Sequence, residues 1–149
     1  MRPAVNVGLS VSRVGGAAQT KAMKKAAGSI RIDLAQCREM EVFTQFSSDL
    51  DAATKEQIQF GRGLTEMLKQ PLCHPLSLHA QVISLITANN RLLLDVEVSK
   101  VKEFQRNLLD FFESVHPEIV SEIEETKVLS DELKQKILDG VAEFKQKRV

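Results

Sequence analysis

The sequence predicts a mainly α-helical fold, in which a bundle of five to six helices is preceded by a single β-strand. Two patterns carry this prediction. Between residues 5 and 11 apolar residues alternate strictly with small or polar ones, the period of a half-buried strand. From residue 23 onward apolar residues recur every three or four positions, the period of an amphipathic helix. With 149 residues, of which 43% are hydrophobic, the chain has the size of one domain and enough apolar side chains for a core.

The predicted strand lies in the stretch "VNVGLSVSRVGG" and ends in an arginine. Its apolar positions are odd-numbered, from Val5 to Val11, and Arg13 falls on the same side. Because a guanidinium is always charged and is rarely buried without a partner, Arg13 is expected either to bind an anion or to lie beyond the end of the core. From spacing alone, a local ion pair or a solvent-facing strand end is favoured. A lone strand cannot satisfy its ladder hydrogen bonds, so residues 1–16 are predicted to be the last strand of a sheet whose other strands lie elsewhere.

Residues 17–149 are predicted to form the helical bundle, after a turn at Gly15 and Gly16. The first helix has an apolar stripe that begins at Met23 and ends at Phe43.

Gly28 lies inside this first stretch, where glycine costs about 1 kcal/mol relative to alanine in a helix and allows a bend or close packing. The second helix follows several side chains suited to capping, at residues 47–51, and extends to about Leu68. Two prolines then exclude a continuous helix and predict an extended connection over residues 70–76.

The remaining helices complete the predicted bundle. The third, "LHAQVISLITA", is nearly all apolar and is expected to be the most buried. The fourth has an apolar stripe from Val101 to Val115, and Pro117 can open a short fifth helix at its first turn. Ser130 is predicted to cap the last helix, whose apolar stripe ends at Phe144.

Charge and composition argue against several classes of partner. The 20 basic and 20 acidic residues balance, but residues 1–38 hold seven Lys or Arg against one Asp, a net charge of +6 that suits phosphates or an acidic neighbour. Trp and Tyr are absent and the seven Phe mostly follow helical stripes, so nucleic-acid binding is not expected. No apolar run approaches the ~18 residues of a spanning helix, so direct membrane insertion is not expected.

No catalytic or metal site is expected from this polypeptide alone. A phosphate-binding loop of the form G-x-x-x-x-G-K-[ST] is absent from the sequence. Cys73, His74 and His79 do not have the spacing of metal ligands, and a loop histidine and a helix-start histidine are favoured instead. Cys37 and Cys73 are predicted to be free thiols. The acidic pair Glu124-Glu125 is predicted to lie on a solvated face.

The run that begins "RPAVNVGLSVSRVGGAAQ" and ends "LKQP" closely resembles the alpha subunits of F-type ATP synthases, and the remaining sequence stays collinear with them to its end. What it resembles is their C-terminal portion. The resemblance implies that residues 1–16 are the last strand of the nucleotide-binding domain and that residues 17–149 are the C-terminal helical bundle. It also implies that the β-barrel domain and the part with the phosphate-binding loop precede this region in the family.

The resemblance implies roles for four residues. Arg13, in "SVSRVGG", occupies the position of the arginine finger, which reaches across the interface to phosphates bound in the neighbouring beta subunit. Arg2, Pro3 and Gln70 match positions that line the adenine side of the non-catalytic nucleotide site. Leu72 stands where the family usually has a second glutamine, and a cysteine stands at residue 37 where a tyrosine is usual.

The resemblance also implies the assembly in which such a polypeptide works. Three non-catalytic alpha subunits alternate with three catalytic beta subunits around a central rotor shaft of the proton-translocating synthase. ATP or ADP with Mg would be bound in the intact complex, and no cofactor by this region alone. The expected place is the cytoplasmic face of a bacterial plasma membrane, as a peripheral component, and this is favoured over an organellar inner membrane. The alternative is a stand-alone helical protein-interaction module without a catalytic role.

Overall fold

A computed structural model describes residues 13–44 and 51–147 of the protein. Within these ranges the fold is mainly helical, as predicted, and includes no β-strand. A 3₁₀ turn, Val98–Lys100, precedes the sixth of the eight α-helices that lie within the described ranges. The helices are α1 (Arg13–Ala18), α2 (Lys21–Ala27), α3 (Ile30–Thr44), α4 (Ala52–Leu68), α5 (Leu78–Asn89), α6 (Val101–Val115), α7 (Pro117–Thr126) and α8 (Asp131–Lys147). None of these described helices is both long enough and apolar enough to cross a membrane.

The expected strand end and glycine turn at residues 13–16 are corrected by the structure. Arg13 is the first residue of α1, and Gly15 and Gly16 lie inside this helix. The alternation of apolar and polar residues stops at Ser12, and the alanines that follow favour a helix. The backbone N–H and C=O groups of residues 13–18 have no partner strand, so they form hydrogen bonds within α1 instead. The alternating stretch at residues 5–11 lies outside the described residues.

The first predicted helix is divided into α2 and α3 at Gly28 and Ser29, so the helix is interrupted at the glycine where a bend or close packing was expected. Alanine side chains form the buried face of α2, at Ala22 and Ala26, whereas Met23 is only partly buried. Small side chains let α2 pack closely against α5, where the Asn89 side chain donates a hydrogen bond from Nδ2 to the carbonyl of Ala26 (2.7 Å).

Capping side chains set the starts of the later helices. Asp51 precedes α4, and its Oδ1 accepts the N–H of Thr54 (3.1 Å). Hydrogen bonding from the side chain of Thr54, and then from this N–H, lowers the pKa of Asp51. Ser130 precedes α8, and its Oγ accepts the N–H of Leu133 (3.0 Å). Pro117 is the first residue of α7. The predicted roles of Ser130 and Pro117 are therefore confirmed.

The core is built around α5, where every residue from Val82 to Ala88 is buried. This helix contacts α2, α4, α6, α7 and α8, so the prediction that it is the most buried helix is confirmed. The apolar stripe of α6 was predicted to end at Val115, but Val115 is exposed and the buried stripe ends at Phe112. One continuous core runs from α2 to α8. The described helices thus bury their apolar faces against one another.

Candidate functional site: the cleft at the end of α4

Arg13 opens α1, and the segment that carries it is attached to the bundle through α2. The backbone N–H of Ala22 donates to the carbonyl of Lys127, in the turn between α7 and α8 (2.9 Å). Three residues further along α2, Lys25 Nζ binds Asp131 Oδ1 (2.7 Å), and this bond lowers the pKa of Asp131. Helix α2 is therefore attached to the turn before α8 and to the first residue of α8. Arg2 and Pro3 lie outside the described residues.

Gln70 lies exposed in the connection between α4 and α5, at the rim of a cleft of about 670 Å³. The end of α4, this connection and α6 enclose the cleft. Within the described ranges, the side chains of Gln70, His74 and Arg106 make no hydrogen bond to the protein. The apolar walls are Pro71, Leu76 and Leu109. The cleft therefore combines an apolar surface with polar groups available to a ligand.

Lys102 lies at the base of this cleft, where α6 meets the end of α4. Its Nζ donates hydrogen bonds to the carbonyl of Met67 (3.0 Å), to the carbonyl of Lys69 and to Gln105 Oε1 (2.9 Å). Burial lowers the pKa of Lys102, and the nearby carboxylate of Glu66 opposes this effect. Sequence analysis did not identify Lys102, because its partners are 33 and 35 residues away in sequence.

Leu72 follows Gln70 in the same connection, and 90% of its surface is exposed. The next residue, Cys73, has a left-handed backbone with φ of 61°, so the backbone turns sharply directly after Leu72. This apolar side chain, at the position where the resemblance implies a second glutamine, is thus presented to solvent and adds no hydrogen bond near Gln70.

The two cysteines are separate free thiols in different environments. Cys37 is buried between α3 and α4, and its thiol donates to the carbonyl of Gln57 (3.2 Å). Burial raises the pKa of the Cys37 thiol, which makes it a poor nucleophile. Cys73 is exposed. Across residues 13–44 and 51–147, no three His, Cys, Asp or Glu side chains lie together as ligands for a metal ion.

A second polar cluster, which sequence analysis missed, surrounds His79 at the start of α5. Its Nδ1 lies 2.6 Å from Glu124 Oε1 on α7, and its Nε2 lies 3.2 Å from Glu113 Oε1 on α6. The prediction of a solvated face holds for Glu125, which is exposed, whereas Glu124, whose side chain is 41% exposed, also accepts the backbone N–H of His79 (3.0 Å). That hydrogen bond is the main cause of the lowered pKa of Glu124. The cluster joins three helices and lies outside the Gln70 cleft.

Glu124→Gln is expected to remove a stabilisation that is present near neutral pH and is lost in acid. Because the folded carboxylate has a pKa below its ordinary value of 4.5, its contacts stabilise the fold above that value and are lost as pH falls through the folded pKa. The melting-temperature difference between wild type and E124Q should therefore be largest near pH 5.5 and smaller at pH 3. Thermal denaturation followed by circular dichroism measures it. Glu125→Gln, at the exposed neighbouring position, serves as the control, and an equal E124Q difference at both pH values would contradict the assignment.

Comparison with known proteins assigns the described helices to a known family of domains. The family described as "ATP synthase alpha/beta chain, C terminal domain" matches residues 19–144. The protein is similar to "ATP synthase subunit alpha" of Clostridium kluyveri, with 48% identity over 145 residues that cover 97% of this chain and 29% of that protein. It is equally similar, with 48% identity over 147 residues, to "ATP synthase subunit alpha" of Caldanaerobacter subterraneus, covering 99% of this chain and 29% of that protein. The chain thus spans less than a third of the length of these relatives.

Proposed function

Because this protein belongs to the family of C-terminal domains of ATP synthase alpha and beta subunits, we propose that it acts as the C-terminal region of a non-catalytic alpha subunit in a proton-translocating F-type ATP synthase. The observation that carries this proposal is the 48% identity to two subunits named alpha, over 97% and 99% of the chain. In this role its partners are beta subunits and the central rotor shaft. The helical bundle helps to hold the ring of alternating subunits around that shaft.

Arg13 is proposed to act in trans on the catalytic site of the neighbouring beta subunit. A guanidinium is planar and always charged, so it can bind two phosphate oxygens at once and stabilise the charge that develops during phosphoryl transfer. The support for this role is the sequence "SVSRVGG" around Arg13 and the attachment of the following helix to the bundle by Lys25 and Asp131. The bundle would therefore fix the base of the segment that presents the arginine.

Gln70, together with Arg2 and Pro3, is proposed to contact the adenine of ATP or ADP at the non-catalytic site of the intact complex. The exposed amide of Gln70 offers both donors and an acceptor, which is what the edge of an adenine requires. Mg bound with the nucleotide would neutralise phosphate charge elsewhere in the complex, and no residue of this region is proposed as its ligand. The resemblance implies a second glutamine at the position of Leu72. Because leucine has no side-chain amide, Gln70 would be the only residue of this connection whose side chain bonds the adenine.

The proposed place of the complex is the cytoplasmic face of a bacterial plasma membrane, with this protein as a peripheral component. Both relatives named above come from bacteria. The protein would reach the membrane through its partner subunits.

A chimeric alpha subunit tests the proposal. In it, residues 1–149 replace the matching region of the Caldanaerobacter subterraneus alpha subunit, which is then co-expressed with beta and shaft subunits of that organism. The chimera is expected to assemble into rings that hydrolyse ATP within several-fold of the parent rate. Phe112→Asp, which places a charge in the core, is the control and should abolish assembly.

The stand-alone interaction module is the second candidate, and the continuous core shared by α2 to α8 favours it. Such a module would fold cooperatively without other domains. A chimera that is folded and monodisperse but does not assemble with beta subunits would therefore overturn the alpha-subunit proposal in favour of this alternative.

A further inference from the structure

The ammonium group of Lys102 binds the two backbone carbonyls that end α4. The carbonyl of Met67 belongs to the last turn of this helix, and the carbonyl of Lys69 belongs to the residue directly after the helix end. Carbonyls at a helix C-terminus lack partners within their own helix, and the negative end of the helix dipole attracts a cation there. Lys102, although it belongs to α6, therefore acts as the C-terminal cap of α4.

Lys102 is itself held in one position. Its third proton goes to Gln105 Oε1 (2.9 Å), so all three ammonium donors have acceptors. Gln105 is buried, and its Nε2 donates to Ser84 Oγ on α5 (2.9 Å). A half-buried ammonium requires such bonds, because burial without them disfavours its charge. The network fixes the end of α4 relative to both α5 and α6.

We infer that Lys102 is a positioning residue for Gln70. Lys69 precedes Gln70 directly, and at Lys69 the backbone leaves the helix with an extended conformation (ψ 133°). By binding the Lys69 carbonyl, Lys102 fixes the orientation of the peptide from which Gln70 projects. The inference rests on the proposed role of Gln70 at a nucleotide site and adds to it the residue that sets its direction.

The first test measures the backbone of the protein itself. The amides of Lys69 and His74 donate to the carbonyls of Glu66 and Pro71, so their hydrogen exchange reports the order of the connection. Lys102→Met keeps the apolar stem and removes the ammonium. We expect exchange at these two amides to accelerate about tenfold or more, with amides in α8 unchanged.

The matched control is Lys100→Met, at an exposed lysine two positions earlier, which should leave exchange at both amides unchanged. Unchanged exchange in K102M would overturn the inference. If K102M does not fold, Lys102→Gln provides the comparison, because its shorter side chain has no charge and cannot donate to both carbonyls at once. Exchange in K102Q equal to wild type would likewise overturn the inference.

The second test measures binding of MgATP to the full-length chimeric alpha subunit alone, where no catalytic beta site contributes. Gln70→Ala is expected to weaken binding about three- to tenfold, the effect of one hydrogen bond to a ligand. K102M should weaken binding by a similar or smaller factor, and should have no further effect in a Q70A background.

The outcomes separate the two claims. If Q70A leaves the affinity unchanged, the proposed nucleotide role of Gln70 is wrong, and the inference that depends on it is overturned as well. If Q70A weakens binding but K102M does not, only the inference about Lys102 is overturned. The same conclusion follows if the two effects are fully additive, because Lys102 would then act independently of Gln70.

Discussion

Replacing Arg13 by alanine is expected to lower ATP hydrolysis by the chimeric ring about 10³- to 10⁵-fold while the ring still assembles. This is the range over which an arginine finger accelerates phosphoryl transfer. Alanine is a better helix former than arginine, so the substitution should not unfold α1, which begins at this position. The effect should therefore appear in turnover and not in the elution volume of the ring on size exclusion.

Two further variants identify the property of Arg13 that matters. Arg13→Lys keeps the charge but loses the planar fork, and it is expected to restore little of the rate. Arg31→Ala removes an exposed arginine from α3 and should leave turnover within about threefold of the parent. Steady-state hydrolysis measured at matched ring concentration decides the matter, and an R13A rate close to that of R31A would remove Arg13 from catalysis.

The helical bundle was predictable because its signals are local. The capping role of Ser130 depends on the residue three positions later, and the buried stripe from Leu133 to Phe144 repeats within one helix. Such interactions involve residues that are close together in sequence, so the sequence pattern reveals them. The division of the first helix was likewise indicated by Gly28, a single residue with a known conformational cost.

The backbone at residues 13–16 was not predictable in the same way. A strand exists only where another strand supplies hydrogen bonds, and alternation in one segment does not report whether that partner is present. Gly15 and Gly16 are compatible with a turn and, at a cost, with a helix, so local sequence does not decide between them.

The polar contacts of the candidate cleft and of the His79 cluster could also not be predicted from the sequence. Lys102 reaches carbonyls 33 and 35 residues away, and His79 meets a carboxylate 45 residues away. These bonds join different helices and depend on how the helices pack, which periodicity does not encode. Gln70 was assigned only through the family resemblance, since an exposed glutamine in a connection has no distinguishing local pattern.

The second large effect is expected at Gly61, where α4 packs directly against α3. A Cβ at this position would lie 2.3 Å from Cys37 Sγ and 2.4 Å from Cys37 Cβ, so the two helices would have to separate. Alanine gains about 1 kcal/mol in helix propensity, but overpacking a core typically costs about 1–3 kcal/mol. Because the clash involves the short, rigid base of a side chain, we expect the cost to exceed the gain.

Gly63, two residues later in the same helix, provides a matched control. A Cβ there would meet Leu93 Cβ at 3.6 Å, an ordinary contact, so Gly63→Ala should be neutral or stabilising by up to about 1 kcal/mol. Thermal unfolding should therefore show a lower melting temperature for G61A and an equal or higher one for G63A. Equal shifts in the two variants would contradict the packing argument.

A double variant shows whether Cys37 causes the loss. Cys37→Gly removes both atoms that the new Cβ would meet, at a cost of its own from helix propensity and lost burial. If the clash is the cause, the destabilisation of C37G with G61A will be smaller than the sum of the two single losses. The resemblance implies a tyrosine at the position of Cys37, so the glycine opposite it tests how this protein accommodates a smaller side chain between α3 and α4. If the two losses of stability simply add, Gly61 is required by the backbone of α4 and not by its contact with Cys37.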